Sequence, residues 1–160
     1  MWDNWRVFVV AGGILAGIFA MIGVAFLPVW QKRRTEALME RGRTSFRRRR
    51  EWLEARFLTL AEQSGKPRGL RWTNCEFDDD VAFARDRRSG RPRALVAVTI
   101  SFEAIPGGGM EEVEAVGNLR TATVVFRLDG PEWKTDGKAC YNLSPAQTID
   151  YYHNELETVE

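Results

Sequence analysis

The chain has 160 residues, with 23 Lys and Arg against 22 Asp and Glu, one His and two Cys. That length fits one modest domain with an accessory segment. A 28% charged content excludes a polytopic membrane protein, 44% hydrophobic residues exclude a wholly disordered chain, and two Cys exclude a disulfide-dense miniprotein. The net charge of +1 hides opposing blocks, so charge is informative only segment by segment.

Residues 1–6 form a short tail, and residues 7–30 read VFVVAGGILAGIFAMIGVAFLPVW without a charged side chain. About 20 such residues, rising ~1.5 Å each in a helix, cross a hydrocarbon core of about 30 Å. A single transmembrane helix is therefore expected. Trp2 and Trp5 stand before the run and Trp30 ends it, at the two levels where amphipathic indoles bury their rings and keep a polar partner for N–H. Gly23 and Ala25 precede Phe26 at a spacing that a signal peptidase reads. Asp3 cancels Arg6, however, and the run is longer than a signal core, so a retained anchor is the better reading. Gly13 and Gly17 make a GxxxG, and Ala16 and Ala20 continue small residues on the adjacent strip with Gly12. Two helices can approach closely there, so self-association or packing on a partner helix is expected.

Residues 31–64 form a basic helical connector, rich in helix formers and free of Pro. Residues 31–50 carry nine basic side chains against Glu36 and Glu40, which by the positive-inside rule puts the carboxyl-terminal domain on the cytoplasmic side. Lys32, Arg33 and Arg34 lie close enough to the span to meet lipid headgroups. Arg47, Arg48, Arg49 and Arg50 surround the helix, because consecutive residues are about 100° apart. Residues 51–160 hold 13 basic and 19 acidic side chains, so the quartet is expected to contact this acidic domain or that of a second copy. A domain that repels phosphate makes nucleic acid an unexpected partner. Met39, Phe46, Leu53 and Leu60 are seven apart, yet Arg43 and Arg50 occupy the places where a coiled-coil seam needs apolar residues. Only the far end, Trp52 to Ala61, is expected to pack on the domain, with Gly42 a weak point of the helix.

Residues 65–160 form the soluble domain. After Ser64-Gly65-Lys66-Pro67 the apolar pattern changes to period two, predicting a stretch at 70–77, another at 81–85, and a strand from Ala94 to Ile105. That strand divides into Val96, Val98, Ile100 and Phe102 on one face and Thr99, Ser101 and Glu103 on the other. Extended segments at Glu112–Val116 and Arg120–Leu128, a strand near Trp133 and one through Cys140 follow, with turn dipeptides at Asp129-Gly130 and Asp136-Gly137. Ser144, Pro145 and Gln147 mark a capped final helix with Ile149, Tyr152 and Leu156 on one face. The fold class is α+β: a helix, a curved antiparallel sheet of four to six strands and a carboxyl-terminal helix. In outline this resembles cystatin-like and nuclear-transport-factor-2-like cone folds, and the preceding span is similar to that of assembly subunits in bacterial envelope machines. The resemblance is architectural and implies no functional residue.

Nothing in the chain reads as a catalytic constellation. His153 has Asp150 three positions before it but no linked nucleophile. Asp78-Asp79-Asp80 lacks the spacing of a calcium loop and reads as a solvated turn, and Gly107-Gly108-Gly109 lacks the Lys-Ser/Thr of a phosphate loop. Asn142-Leu143-Ser144 matches a glycosylation acceptor but has Pro145 after a capping Ser144. Cys75 and Cys140 are too far apart for a CxxC pair. They are expected as buried thiols in a cytoplasmic domain, or as a Cys75–Cys140 disulfide if the domain is exported. The expected function is a non-catalytic, membrane-anchored binding or assembly module without cofactor or metal. Its expected partners are the lipid bilayer and either a protein partner or a second copy. An exported domain of the same fold and a small-ligand-binding or enzymatic cone fold are the alternatives.

Overall fold

The computed structural model describes residues 4–64, 69–113 and 118–159, with side chains from Trp30 onward except those of Gln31, Ser64 and Trp72. It contains a helix α1 (Asn4–Ser64), strands β1 (Leu70–Asp86), β2 (Pro92–Ala104), β3 (Arg120–Asp129), β4 (Glu132–Lys134) and β5 (Ala139–Tyr141), a short helix α2 (Pro145–Tyr151) and strand β6 (Leu156–Thr158). The strands form one antiparallel sheet in the order β4-β3-β2-β1-β6, with β5 also paired to β3. The α+β class with a several-stranded curved antiparallel sheet is as the sequence pattern requires.

The chain divides into two compact units, Met1–Ala37 and Leu38–Glu160. In the first, the backbone is helical from Asn4. Trp2 and the side chains of Trp5, Gly13, Ala16, Gly17 and Ala20 lie outside the described residues. Among the described residues no helix is long and apolar enough to cross a membrane. At the end of this unit the Arg34 guanidinium lies 5.6 Å from the Trp30 ring centre, and Lys32 pairs with Glu36 at 3.9 Å in an exposed i,i+4 contact. Arg33 is exposed.

In the second unit, residues 38–64 of α1 lie against one face of the sheet. Met39, Phe46, Leu53, Phe57 and Ala61 are buried, a stripe generated by seven- and four-residue steps that keep one side of a 3.6-residue helix turned inward. Packing thus begins well before Trp52, which is itself 61% exposed. The seven-residue spacing faces a sheet instead of another helix, which is why Arg43 and Arg50 are tolerated beside it. Opposite the stripe stand Ala94, Val96, Val98 and Ile100 of β2 and Ala122, Val124 and Phe126 of β3, all buried, as the period-two pattern predicts. Phe46 is the centre: its ring lies 5.0 Å from Trp133, 5.3 Å from Phe126 and 5.9 Å from Phe83.

Gly42 is a point of close approach and not a break, for α1 continues through it. A Cβ there would lie 2.9 Å from Cγ and 3.2 Å from Cβ of Pro92, the first residue of β2. The β1–β2 turn is held by Asp86, whose carboxylate accepts from the Ser89 amide (2.8 Å) and hydroxyl (2.9 Å) and pairs with Arg93, while Gly90 takes φ 68°.

Three expectations change. The stretches at 70–77 and 81–85 are one strand, and the Asp78–Asp80 segment is a bulge inside it, where register shifts between Phe77 and Val81. Of the segment expected at Glu112–Val116, Glu112 lies in a turn and residues 114–117 lie outside the described residues. The capping box forms at Ser144 and Gln147 as expected, but α2 ends at Tyr151. The Glu155 and Leu156 amides then donate to the Tyr152 carbonyl, turning the chain so that Leu156–Thr158 pairs with Asp86–Ala84. Leu156 therefore points from a strand, with Ile149, Leu95 and Ala84, into a second small core on the opposite sheet face.

Phe46→Ala should cost about 3–5 kcal/mol, the range for truncating a buried aromatic, and Gly42→Ala should lower the urea midpoint despite its gain of ~1 kcal/mol in helix propensity. A midpoint raised by Gly42→Ala would contradict the close approach to Pro92. Burial raises the Asp86 pKa, but hydrogen bonds from Arg93 and Ser89 outweigh it and hold the carboxyl at about 2 against an ordinary 3.8. Because the folded value is depressed, this stability is present above 3.8 and lost as pH falls through about 2. Acid titration followed by circular dichroism should show a shallower loss in Asp86→Asn, which starts about 1–3 kcal/mol less stable.

Candidate functional site

The four arginines take four different surroundings, as their placement around a helix dictates. Arg50 turns toward the sheet: Nε donates to Glu54 Oε1 at 2.6 Å, Nη1 to the Asp79 carbonyl at 2.5 Å and Nη2 to the Asp78 carbonyl. The bulge in β1 exposes these carbonyls, and one guanidinium satisfies both. The helix thus meets its acidic neighbour through backbone oxygens, not through the Asp78 and Asp79 carboxylates. Arg49 borders an open pocket of about 340 Å³ with Trp52, Glu132 and Trp133. Arg48 is exposed. Arg47 faces the other side of α1, toward a larger cavity.

That cavity, of about 460 Å³, lies beside β1 where β6 ends. Arg43 and Arg47, one helical turn apart, form one wall; Val81 and Phe83 of β1 and Ile149 and Asp150 of α2 form much of the rest. Pairing between β6 and β1 is confined to Ala84–Asp86, so among the described residues no strand pairs with the outer edge of β1 along Val81–Phe83. The Arg43 guanidinium lies 5.6 Å from the Phe83 ring centre, an aromatic cradle for a cation. Its Nη2 makes one long bond, 3.4 Å to the Val159 carbonyl, and its Nε is buried with no acceptor among the described residues. A buried N–H on a charged group without an acceptor is costly, and the side chain that carries it also lines the cavity.

The second sheet face is divided. Ile149 and Leu156 pack on Leu95, while Thr99 and Ser101 are half-buried and Glu103 is exposed, paired with Arg71 at 2.7 Å. Thr99 stands across from Glu76 and Thr121, and Ser101 from Asn74. The expected polar face therefore exists, as a row of cross-strand pairs.

His153 is exposed, and its Nδ1 lies 2.9 Å from the Asp150 carbonyl instead of its carboxylate. Among the described residues no group of His, Cys, Asp and Glu is arranged to hold a metal ion. Cys75 and Cys140 are free. Cys75 pairs with Ile100 on the α1 face of the sheet, whereas Cys140 sits on the other face, on β5 opposite Thr123, with β2 and β3 between them. The alternative Cys75–Cys140 disulfide is thus incompatible with the fold, since a bridge needs Cα atoms within about 7 Å. Burial, with the Glu54 carboxylate adding, pushes the Cys75 thiol up to about 12. Burial also raises that of Cys140.

Comparison with family models, curated proteins and solved structures finds no match to this chain. The sequence reading missed Arg43, which resembles any other connector arginine until β1 and α2 are placed against it. The only local sign was its interruption of the apolar heptad.

Cys75 should resist iodoacetamide at pH 8 by at least about a hundredfold relative to a free cysteine peptide, because the thiolate is the reactive form, and should label at the free rate in urea. Mild oxidation of the folded chain should give no internal Cys75–Cys140 bridge on non-reducing peptide mapping.

Proposed function

We propose that this chain is a single-pass membrane-tethered α+β module that works by binding or assembly, with Leu38–Glu160 on the cytoplasmic side. The observation that carries this reading is the uncharged run from Val7 to Trp30, bounded by Trp2 and Trp5 before it and by Trp30, Lys32, Arg33 and Arg34 at its end. Its helical backbone supports the reading, because a spanning segment must satisfy every peptide group internally. The nine basic residues at 31–50 support the orientation. Gly13, Ala16, Gly17 and Ala20 offer a close-packing strip for a partner helix or a second copy. The outline resemblance to cystatin-like and nuclear-transport-factor-2-like cone folds agrees with a role in binding and adds no chemistry.

Full-length chain inserted into sealed inner-membrane vesicles should stay in the pellet through alkaline carbonate extraction. In right-side-out vesicles its domain should be protected from protease, and in inverted vesicles digested. Release by carbonate would remove the tether, and digestion in right-side-out vesicles would move the domain to the exported side.

A further inference from the structure

We propose that the cavity beside β1 binds an amphipathic anion: a carboxylate or phosphate monoester carried on a short apolar body. The proposal does not depend on the membrane tether, since all its residues lie in the Leu38–Glu160 unit.

The polar half of the argument is Arg43. Its guanidinium is held over Phe83, and among the described residues its one hydrogen bond is a long one, 3.4 Å from Nη2 to the Val159 carbonyl, while its side chain lines the cavity. A guanidinium offers five N–H groups in a planar fork, the geometry that carboxylate and phosphate oxygens accept. Arg47, on the next turn of α1 and lining the same cavity, brings a second cation to the same wall. The apolar half is Val81 and Phe83 on the β1 edge and Ile149 on α2, and about 460 Å³ lies in the range of small-molecule sites. Asp150 carries the opposite charge on the α2 wall. An anion is thus drawn to the helix side and repelled from the α2 side, which orients the head toward Arg43 and the body toward Ile149.

This combination selects its ligand by exclusion. A free inorganic anion leaves the apolar wall wet, and a neutral apolar molecule leaves the cations of Arg43 and Arg47 without a counter-charge. A peptide strand added to the β1 edge is the competing occupant, but β6 and Val159 already approach this edge from one end.

The test is equilibrium titration of the full-length chain in neutral phosphatidylcholine nanodiscs, with empty nanodiscs as the blank. The probes are hexanoate, hexyl phosphate, phenylacetate, hexan-1-ol, inorganic phosphate and an uncapped apolar hexapeptide. Hexanoate or hexyl phosphate should bind at least about tenfold more tightly than hexan-1-ol and than inorganic phosphate, as loss of a charge-assisted bond or of the apolar contact implies. A preference for hexanoate over phenylacetate assigns the ligand to acyl, lipid-derived anions; the reverse assigns it to soluble aromatic acids. Arg43→Met keeps an apolar stem against Phe83 and should weaken hexanoate by about tenfold or more, whereas Asp150→Asn should tighten it by about two- to threefold at low salt. Ala146→Trp, whose native side chain also lines the cavity, should abolish binding. Each variant is compared at an unchanged urea midpoint, and Ala146→Trp stands in if Arg43→Met fails to fold. Equal affinity for hexanoate and hexan-1-ol, binding indifferent to both Arg43→Met and Ala146→Trp, or tighter binding of the hexapeptide would overturn the proposal.

Discussion

The contact on which the second unit depends is the insertion of Phe46 between Phe83, Phe126 and Trp133. Three separate strands and a helix meet at that ring, so no single hairpin can form its final environment alone. Trp133 is further held by its indole N–H, which donates to Ser45 Oγ at 2.9 Å, one residue before Phe46 on the helix. The helix and the far edge of the sheet are therefore locked by an aromatic contact and an adjacent hydrogen bond, which is more specific than apolar burial by itself. Gly42, one turn earlier, lets α1 come close enough to Pro92 for this insertion to occur.

The same placement decides where chemistry can reside. With α1 on one face and the small core of Ile149 and Leu156 on part of the other, the sheet's interior is occupied by side chains. The cavity lies at the side, where β6 stops short along β1. Arg43 reaches this edge because it flanks the buried stripe of α1. The arginine that looks like a defect in a coiled-coil seam is therefore a residue at the boundary between core and cavity.

The bulge at Asp78–Asp80 follows related logic. In a regular ladder at least one of three consecutive acidic side chains would turn toward the face that α1 covers, and the bulge avoids this while exposing two carbonyls. Arg50 accepts the task of satisfying those carbonyls, and Glu54 one turn later fixes its Nε. Arg50 meets β1 through peptide oxygens and pairs with a carboxylate on its own helix. A count of charges contains no information about such groups.

Local rules were sufficient wherever neighbouring residues settle the energy. The uncharged run, the period-two division of β2, the capping box at Ser144 and the turn glycines were all legible, since each depends on residues within a few positions. The α+β class followed from their order. Tertiary structure alone decided that the seven-residue stripe faces a sheet, that Leu156 belongs to a strand, that Cys75 and Cys140 lie on opposite faces, and that Arg43 borders a cavity. In each case the deciding partner is distant in sequence: Phe126 for Phe46, Ala84 for Thr158, Thr123 for Cys140 and Phe83 for Arg43. Periodicity fixes which side of an element is apolar, but only strand order and register determine what that side meets.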